Sequence, residues 1–285
     1  MEKTKNIFLG KKILIYGLGK SGISSYRFLK NKAKVYLFDD NQKINFKLNK
    51  KLINLNEISK INFDKIIISP GIDISTCKLS KLIKKDISKV YTDLDVFYSF
   101  YKNESIAITG TNGKSTTAKI LYDVLLDQSK DVRIVGNFGN PILSEKKITK
   151  KTFFVVEVSS YQLDYSKVFC AKYAIILNIS PDHIERHKSL KNYVKAKFKL
   201  LDSQNKRCFA YVNKNDKIIQ KRLISKKFNS KIIKVNTKKK YDILKKINNN
   251  YFLTDTNKEN LSFVIEISKK LKLKKDLLLR TIQNF

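Results

Sequence analysis

Twice in this chain a short apolar run ends in a glycine-rich turn that opens an amphipathic stretch, and these junctions restrict the fold more than any other feature. Lys12–Tyr16 (KILIY) leads into Gly17-Leu18-Gly19-Lys20-Ser21-Gly22, and Ser105–Thr109 (SIAIT) leads into Gly110-Thr111-Asn112-Gly113-Lys114-Ser115-Thr116. A buried strand passing through a tight turn into a helix opens a βαβ unit, which demands a parallel sheet and right-handed crossovers. After the first junction the pattern predicts a helix over Ser21–Asn31 and strands over Lys34–Phe38 and Lys65–Ile68. After the second it predicts a helix from Lys114 to about Leu126, then strands over Val132–Val135, Phe153–Val158, Tyr173–Asn178, Cys208–Val212 and Lys231–Val235. The expected fold class is α/β: an N-terminal Rossmann-like parallel-sheet domain over residues 1–93, followed by a P-loop mononucleotide-binding α/β domain over 94–285. The aromatic, helix-like stretch Thr92–Lys102 reads as the connection, and Asn236–Asn250, rich in Lys and Asn, as a surface loop or short excursion.

Composition narrows the function classes. With 285 residues, 42% of them hydrophobic, the chain has room for about two cores, which excludes wholesale disorder. A formal net charge of +34 raises the question of nucleic acid. Only six of the 59 basic residues are arginine, however, and the lysines are dispersed along the whole chain. Base reading and bidentate phosphate clamps favour the planar guanidinium, so no nucleic-acid partner is expected. Cys77, Cys170 and Cys208 form no CxxC pair, which argues against a disulfide scaffold and for a reducing compartment. No apolar run approaches the ~20 residues of a membrane helix, and the N-terminal MEKTKNIFLGKK lacks a signal-peptide core. The expectation is a soluble, cytoplasmic monomer with no membrane partner.

Three groups of residues carry chemistry. In the first turn Gly17 permits the tight bend, Gly19 lets backbone approach a phosphate, Gly22 permits close helix packing, and the helix N-terminus attracts the anion. Asp39 and Asp40 follow about twenty residues on, where a carboxylate suits ribose hydroxyls. By itself this turn fits NAD, another nucleotide diphosphate, or a turn that merely needs glycine. In the second turn successive N–H groups can wrap a phosphate, Lys114 can neutralise β/γ oxygens and Ser115 can ligate Mg²⁺. Ile108 stands where the strict P-loop pattern has its first glycine, so the loop is a shortened variant. An ATP site beside a nucleotide-diphosphate site suggests ATP-driven work on a nucleotide-linked substrate. The third group lies at the ends of later strands: Glu157, a candidate Mg²⁺ ligand, then Ser159-Ser160-Tyr161-Gln162-Leu163 and Asn178-Ile179-Ser180-Pro181-Asp182-His183. His183 and His187 stand four apart, but HIERH is not a zinc motif, and His187 reads as an exposed residue.

These residues together resemble the Mur ligase family of peptidoglycan synthesis, and within it the members that join D-glutamate to UDP-N-acetylmuramoyl-L-alanine. The resemblance rests on GLGKSG, Ser69-Pro70-Gly71-Ile72, GTNGKST, Gly136-Asn137-Phe138-Gly139, EVSSYQL at 157–163 and Asp182-His183, and runs across essentially the whole chain. It implies that Gly17, Gly19, Ser21, Asp39 and Gly71 hold the UDP substrate. It implies ATP on Gly110, Thr111, Asn112, Gly113, Lys114, Ser115 and Thr116, with Asn257 near the adenine. Asn137 and Ser159 would face the muramoyl-alanine end of the substrate, and Ser115, Glu157, His183 and a carbamylated Lys197 would hold Mg²⁺. Lys114, His183 and Lys197 are the implied catalytic set.

The match has two departures. Asp40-Asn41 stands where the family leads one to expect Thr-Arg, and the family's C-terminal amino-acid-binding domain has no counterpart before Phe285. Binding of the UDP substrate and ATP with poor turnover is therefore the expectation for these 285 residues. Competing readings are another Mur-type or folylpolyglutamate-type ligase, or a nucleotide-linked NAD(P) oxidoreductase.

Overall fold

Strand β1 (Lys12–Tyr16) is buried at every position but its first, and its neighbours β2 (Lys34–Phe38) and β3 (Lys65–Ile68) are nearly as apolar. Strands covered on both faces read as unbroken apolar runs, the mark of a parallel sheet. The computed structural model describes residues 6–41, 52–239 and 241–285. Residues 42–51 and Lys240 lie outside them, as do the first five residues of the N-terminal stretch.

The chain divides into two compact units. The first comprises Met1–Lys102, Pro141–Lys147 and Asp164–Phe169. Its sheet has the order β2-β1-β3-β4, with β4 at Val90–Tyr91, and every pairing is parallel. Helix α1 (Lys20–Leu29) follows β1 directly; α2 (Leu55–Lys60), α3 (Ser80–Lys85) and α4 (Asp93–Phe100) come later. Asn54 and Glu57 cap α2 reciprocally, a pairing that satisfies two backbone donors left over at a helix start.

The stretch read as a connection is therefore the helix α4, and its leading face is buried. Asp95 is fully buried there. One carboxylate oxygen accepts from Thr92 N–H and hydroxyl at 2.9 and 3.2 Å. The other accepts from Ser166 hydroxyl and from the N–H groups of Lys167, Val168 and Phe169 at 2.8–3.1 Å. Such a saturated carboxylate fastens α4 to the segment at 166–169.

The second unit comprises Asn103–Asn140, Ile148–Leu163 and Cys170–Phe285. Its six strands are β5 (Ser105–Thr109), β6 (Val132–Gly136), β7 (Phe153–Glu157), β8 (Tyr173–Ile176), β9 (Phe209–Asn213) and β10 (Lys231–Val235), ordered β10-β9-β8-β5-β7-β6 and all parallel. Helices α5 (Lys114–Asp127), α10 (Asp255–Lys270) and α11 (Lys275–Gln283) bury Ile120, Val124, Val264 and Ile282 over this sheet. Helices α6 (Ser160–Tyr165), α7 (Ile184–His187), α8 (Leu190–Asp202) and α9 (Lys217–Ser225) complete the α/β alternation.

Helix α10 starts at Asp255, because the Thr254 side chain accepts from Asn257 N–H and caps it; its first turns are polar and leave no apolar period to read. One expectation is corrected. The Lys- and Asn-rich stretch after Asn236 is not all surface. It forms 3₁₀ turns at Asp242–Lys246 and Asn250–Leu253, and Tyr241 and Ile243 are buried in the core. Among the described residues no helix is long and apolar enough to cross a membrane.

Candidate active site

In the first unit the glycine turn leaves β1, the strand between β2 and β3, where the chain's crossovers diverge and open α/β sheets place ligands. Gly17 has φ +90, and a Cβ there would meet Ser69 and Ile72 at 2.8 Å. A Cβ on Gly22 would lie 1.8 Å from the Gly17 carbonyl oxygen. Ser69 donates its hydroxyl to that same carbonyl at 2.6 Å, so the SPGI motif holds the turn from behind. Around Gly19 and Gly71 a Cβ would meet nothing within 4 Å, which leaves open space for a ligand.

Asp39 is buried and both its oxygens accept from backbone: Leu18 N–H at 2.6 Å and Asn41 N–H at 2.9 Å. It shapes the turn itself. Asp40 accepts the Tyr16 hydroxyl at 2.6 Å, and the phenol is held far up its range by burial and then by that carboxylate. The Ser21 hydroxyl donates to Asp93 at 2.6 Å.

In the second unit the Gly110–Thr116 loop leaves β5, with β7 on one side and β8 on the other. Gly113 adopts φ +82, and a Cβ would stand 2.3 Å from the Asn260 side-chain oxygen, so only glycine fits. Lys114 folds back onto its own loop, donating to the carbonyls of Gly110 at 3.0 Å and Thr111 at 2.7 Å. Burial lowers its pKa while Glu157 and Asp182 oppose the shift.

Glu157, at the end of β7, is 1% exposed. Ser115 donates its hydroxyl to one carboxylate oxygen and Asn137 its amide to the other, both at 2.7 Å. A buried carboxylate beside a hydroxyl is a pair of hard oxygen donors, which fits a Mg²⁺ ion. Lys197 on α8 is also buried and donates to the Gly110 carbonyl at 2.7 Å. Burial, reinforced by Lys114 and opposed by Asp182, pushes its pKa down to about 7. An amine so poised is nucleophilic near neutrality, as carbamylation requires.

Residues 108–277, more than half of the chain, match the family model described as Mur ligase middle domain, and residues 11–90 match the one described as Mur ligase MurD-like, N-terminal domain. The chain belongs to the Mur ligase family. This Mur ligase chain is 39% identical over 210 residues to the UDP-N-acetylmuramoylalanine–D-glutamate ligase of Rickettsia felis, a match covering 71% of this chain and 46% of that protein. It is 30% identical over 282 residues to the protein of the same name from Clostridioides difficile, covering 94% and 59%. It spans about half the length of the curated relatives it matches.

Among solved structures, a UDP-N-acetylmuramate:L-alanyl-gamma-D-glutamyl-meso-diaminopimelate ligase from Neisseria meningitides shares the fold at TM-score 0.64, with 14% identity and coverage of 97% of this chain and 98% of that one. The UDP-N-acetylmuramate-alanine ligase MurC of Thermotoga maritima gives 0.53, with 17% identity and coverage of 96% and 68%.

Within the Mur ligase chain the two histidines differ. His183 sits at φ +52 at the start of α7, its ring 3.4 Å from Asp182 and 3.8 Å from Glu185. His187, expected at the surface, is buried: its Nε2 lies 3.0 Å from the Ser160 hydroxyl, and its ring packs against Tyr161 and Tyr193. Ser159 caps α6 in exchange with Gln162, donating to its amide oxygen at 3.3 Å and accepting its N–H at 3.2 Å. Thr116 and Asn257 meet around Tyr251, through its hydroxyl at 3.3 Å and its carbonyl at 2.6 Å. Hydrogen bonds thus join Ser115, Glu157 and Asn137, and separately Lys114, Lys197 and Gly110; none joins His183 to Glu157 or Lys197 among the described residues.

Proposed function

We propose that this chain carries the UDP-substrate site and the ATP site of a ligase that joins D-glutamate to UDP-N-acetylmuramoyl-L-alanine in peptidoglycan synthesis. The domains we assign are 1–93 for the UDP substrate and 94–285 for ATP. One observation carries the reading: a left-handed glycine loop with a half-buried lysine stands beside the buried Glu157 carboxylate, which accepts from the more exposed Ser115 and Asn137 side chains, at the ends of parallel strands. The names of the relatives supply the acceptor and the amino acid.

ATP phosphorylates the alanine carboxylate, and the amine of D-glutamate displaces phosphate from the resulting acyl phosphate. In this reading Lys114 leaves the loop carbonyls and sets its charge against the transferring phosphoryl oxygens, where catalysis of this class arises. Mg²⁺, when bound, shields phosphate charge. Ser115 and Glu157 hold it, with His183 and the carbamylated Lys197 completing the set; carbamylation turns a buried amine into a carboxylate-like anion. Asn137 and Ser159 orient the acceptor, so that the reacting groups meet without further loss of rotational freedom. The first turn seats the diphosphate against the α1 N-terminus through Gly17, Gly19 and Ser21, with Asp39 fixing its backbone and Gly71 leaving room beside it.

Calorimetry tests this on the 285-residue chain. MgATP and UDP-N-acetylmuramoyl-L-alanine each bind, and Lys114→Ala loses ATP while keeping the UDP substrate. Binding of NAD(P) in place of the UDP substrate, or no binding of ATP, refutes it.

A further inference from the structure

Resting on the reading of this loop as the ATP site, we propose that Asn178 is a positioning residue that holds the nucleotide loop in its phosphate-ready shape before nucleotide arrives. Asn178 follows β8, 66 residues beyond the loop it touches. Its side-chain oxygen accepts from Asn112 N–H at 2.9 Å and from Thr111 N–H at 3.1 Å. The Thr111 N–H is shared with the Asn178 main-chain carbonyl at 3.0 Å. The side-chain amide returns a bond to the Asn112 carbonyl at 3.1 Å. One side chain thus binds both polar backbone groups of Asn112 and one of Thr111, as a strand would.

The clamp is continued by Thr111. Its hydroxyl accepts Ser180 N–H at 3.1 Å and lies 3.2 Å from the Ser180 carbonyl and the Tyr193 hydroxyl. The nucleotide loop is therefore tied to the loop that carries Asp182 and His183, and to helix α8 that carries Lys197.

The chemistry explains why an amide is needed. A phosphate cradle works when its N–H groups converge without a ligand, because the entropy of ordering the loop is then not charged against binding. Gly110 and Gly113 leave this backbone free to wander, and Gly113 holds a left-handed conformation. An amide can accept two N–H bonds and donate one with no charge. A carboxylate in the same place accepts but cannot donate, and repels the triphosphate; an alanine does neither.

The test compares the full chain with Asn178→Ala and Asn178→Asp, using MgADP as the probe, amide hydrogen exchange on the free proteins, and thermal denaturation. Asn178→Ala is expected to lose exchange protection at Asn112, while the Thr111 N–H keeps the main-chain carbonyl of residue 178, and to bind MgADP about tenfold more weakly, the loss of roughly one to two net hydrogen bonds. Its thermal midpoint should fall by no more than a few degrees, and the exchange of β5 should stay unchanged. Asn178→Asp is expected to retain protection of the two amides while still weakening MgADP. Equal affinity in parent and Asn178→Ala overturns the proposal, as does a uniform loss of protection across the unit, which marks a merely structural residue. Failure of the parent chain to bind MgADP instead overturns the nucleotide reading itself.

Discussion

Lys197 shows what burial does to a single side chain. Its pKa falls to about 7 against 10.5 for an ordinary lysine, so between those values the unfolded chain binds one more proton than the folded one. Stability therefore gains from this residue as pH rises across that window, and the penalty is full below it. Lys197→Met should stabilise the protein most below about pH 7, with the advantage shrinking toward about pH 10. Denaturation midpoints of both chains across that range check this; a constant gap would count against a buried, neutral amine. Gly22 makes a steric argument of the same kind. With the Gly17 carbonyl 1.8 Å from its missing Cβ, Gly22→Ala must push α1 off the turn. The expected cost is about 1–3 kcal/mol, read as a lower urea midpoint, together with loss of UDP-substrate binding. Glycine at both positions was legible in the sequence, because a strand–turn–helix junction is a local backbone demand. The engagement of both Asp39 oxygens by backbone was not.

At the level of elements, β1, β2, β3, β5 and β10 begin and end where the sequence places them: β1, β3 and β5 are apolar runs buried along most of their length, and the edge strands β2 and β10, though partly exposed, still carry short apolar runs that need no knowledge of their neighbours. Helices α2 and α3 and strand β4 are too short to show a period, and they escaped that reading. Helix α4 was visible as an aromatic stretch, yet its role depends on Asp95, whose partners at 166–169 lie about seventy residues away. Asp95→Ala removes the carboxylate that those N–H groups share, among them the buried one of Phe169. The expected loss is about 3 kcal/mol or more, measured as a fall in the denaturation free energy. Asp95→Asn should lose less, because it keeps one acceptor oxygen.

Across the whole molecule, a net charge of +34 repels itself in the folded state more than in an expanded one. Raising ionic strength from about 0.05 M to about 0.5 M should raise the thermal midpoint, since the Debye length falls below the spacing of surface lysines. A midpoint insensitive to salt would show that the lysines are too well solvated to interact. MgATP at about a hundred times its Kd should add about 2.7 kcal/mol, and none in Lys114→Ala. The sequence by itself determined the α/β alternation, the two glycine-rich turns and the family, because turn geometry and apolar runs are written in contiguous residues. Only the tertiary structure decided that His187 is buried, that Lys114 and Lys197 share one carbonyl, and that Asn178 clamps a loop far back along the chain. Desolvation and hydrogen bonding between distant residues do not exist until the parallel sheet brings its strand ends side by side.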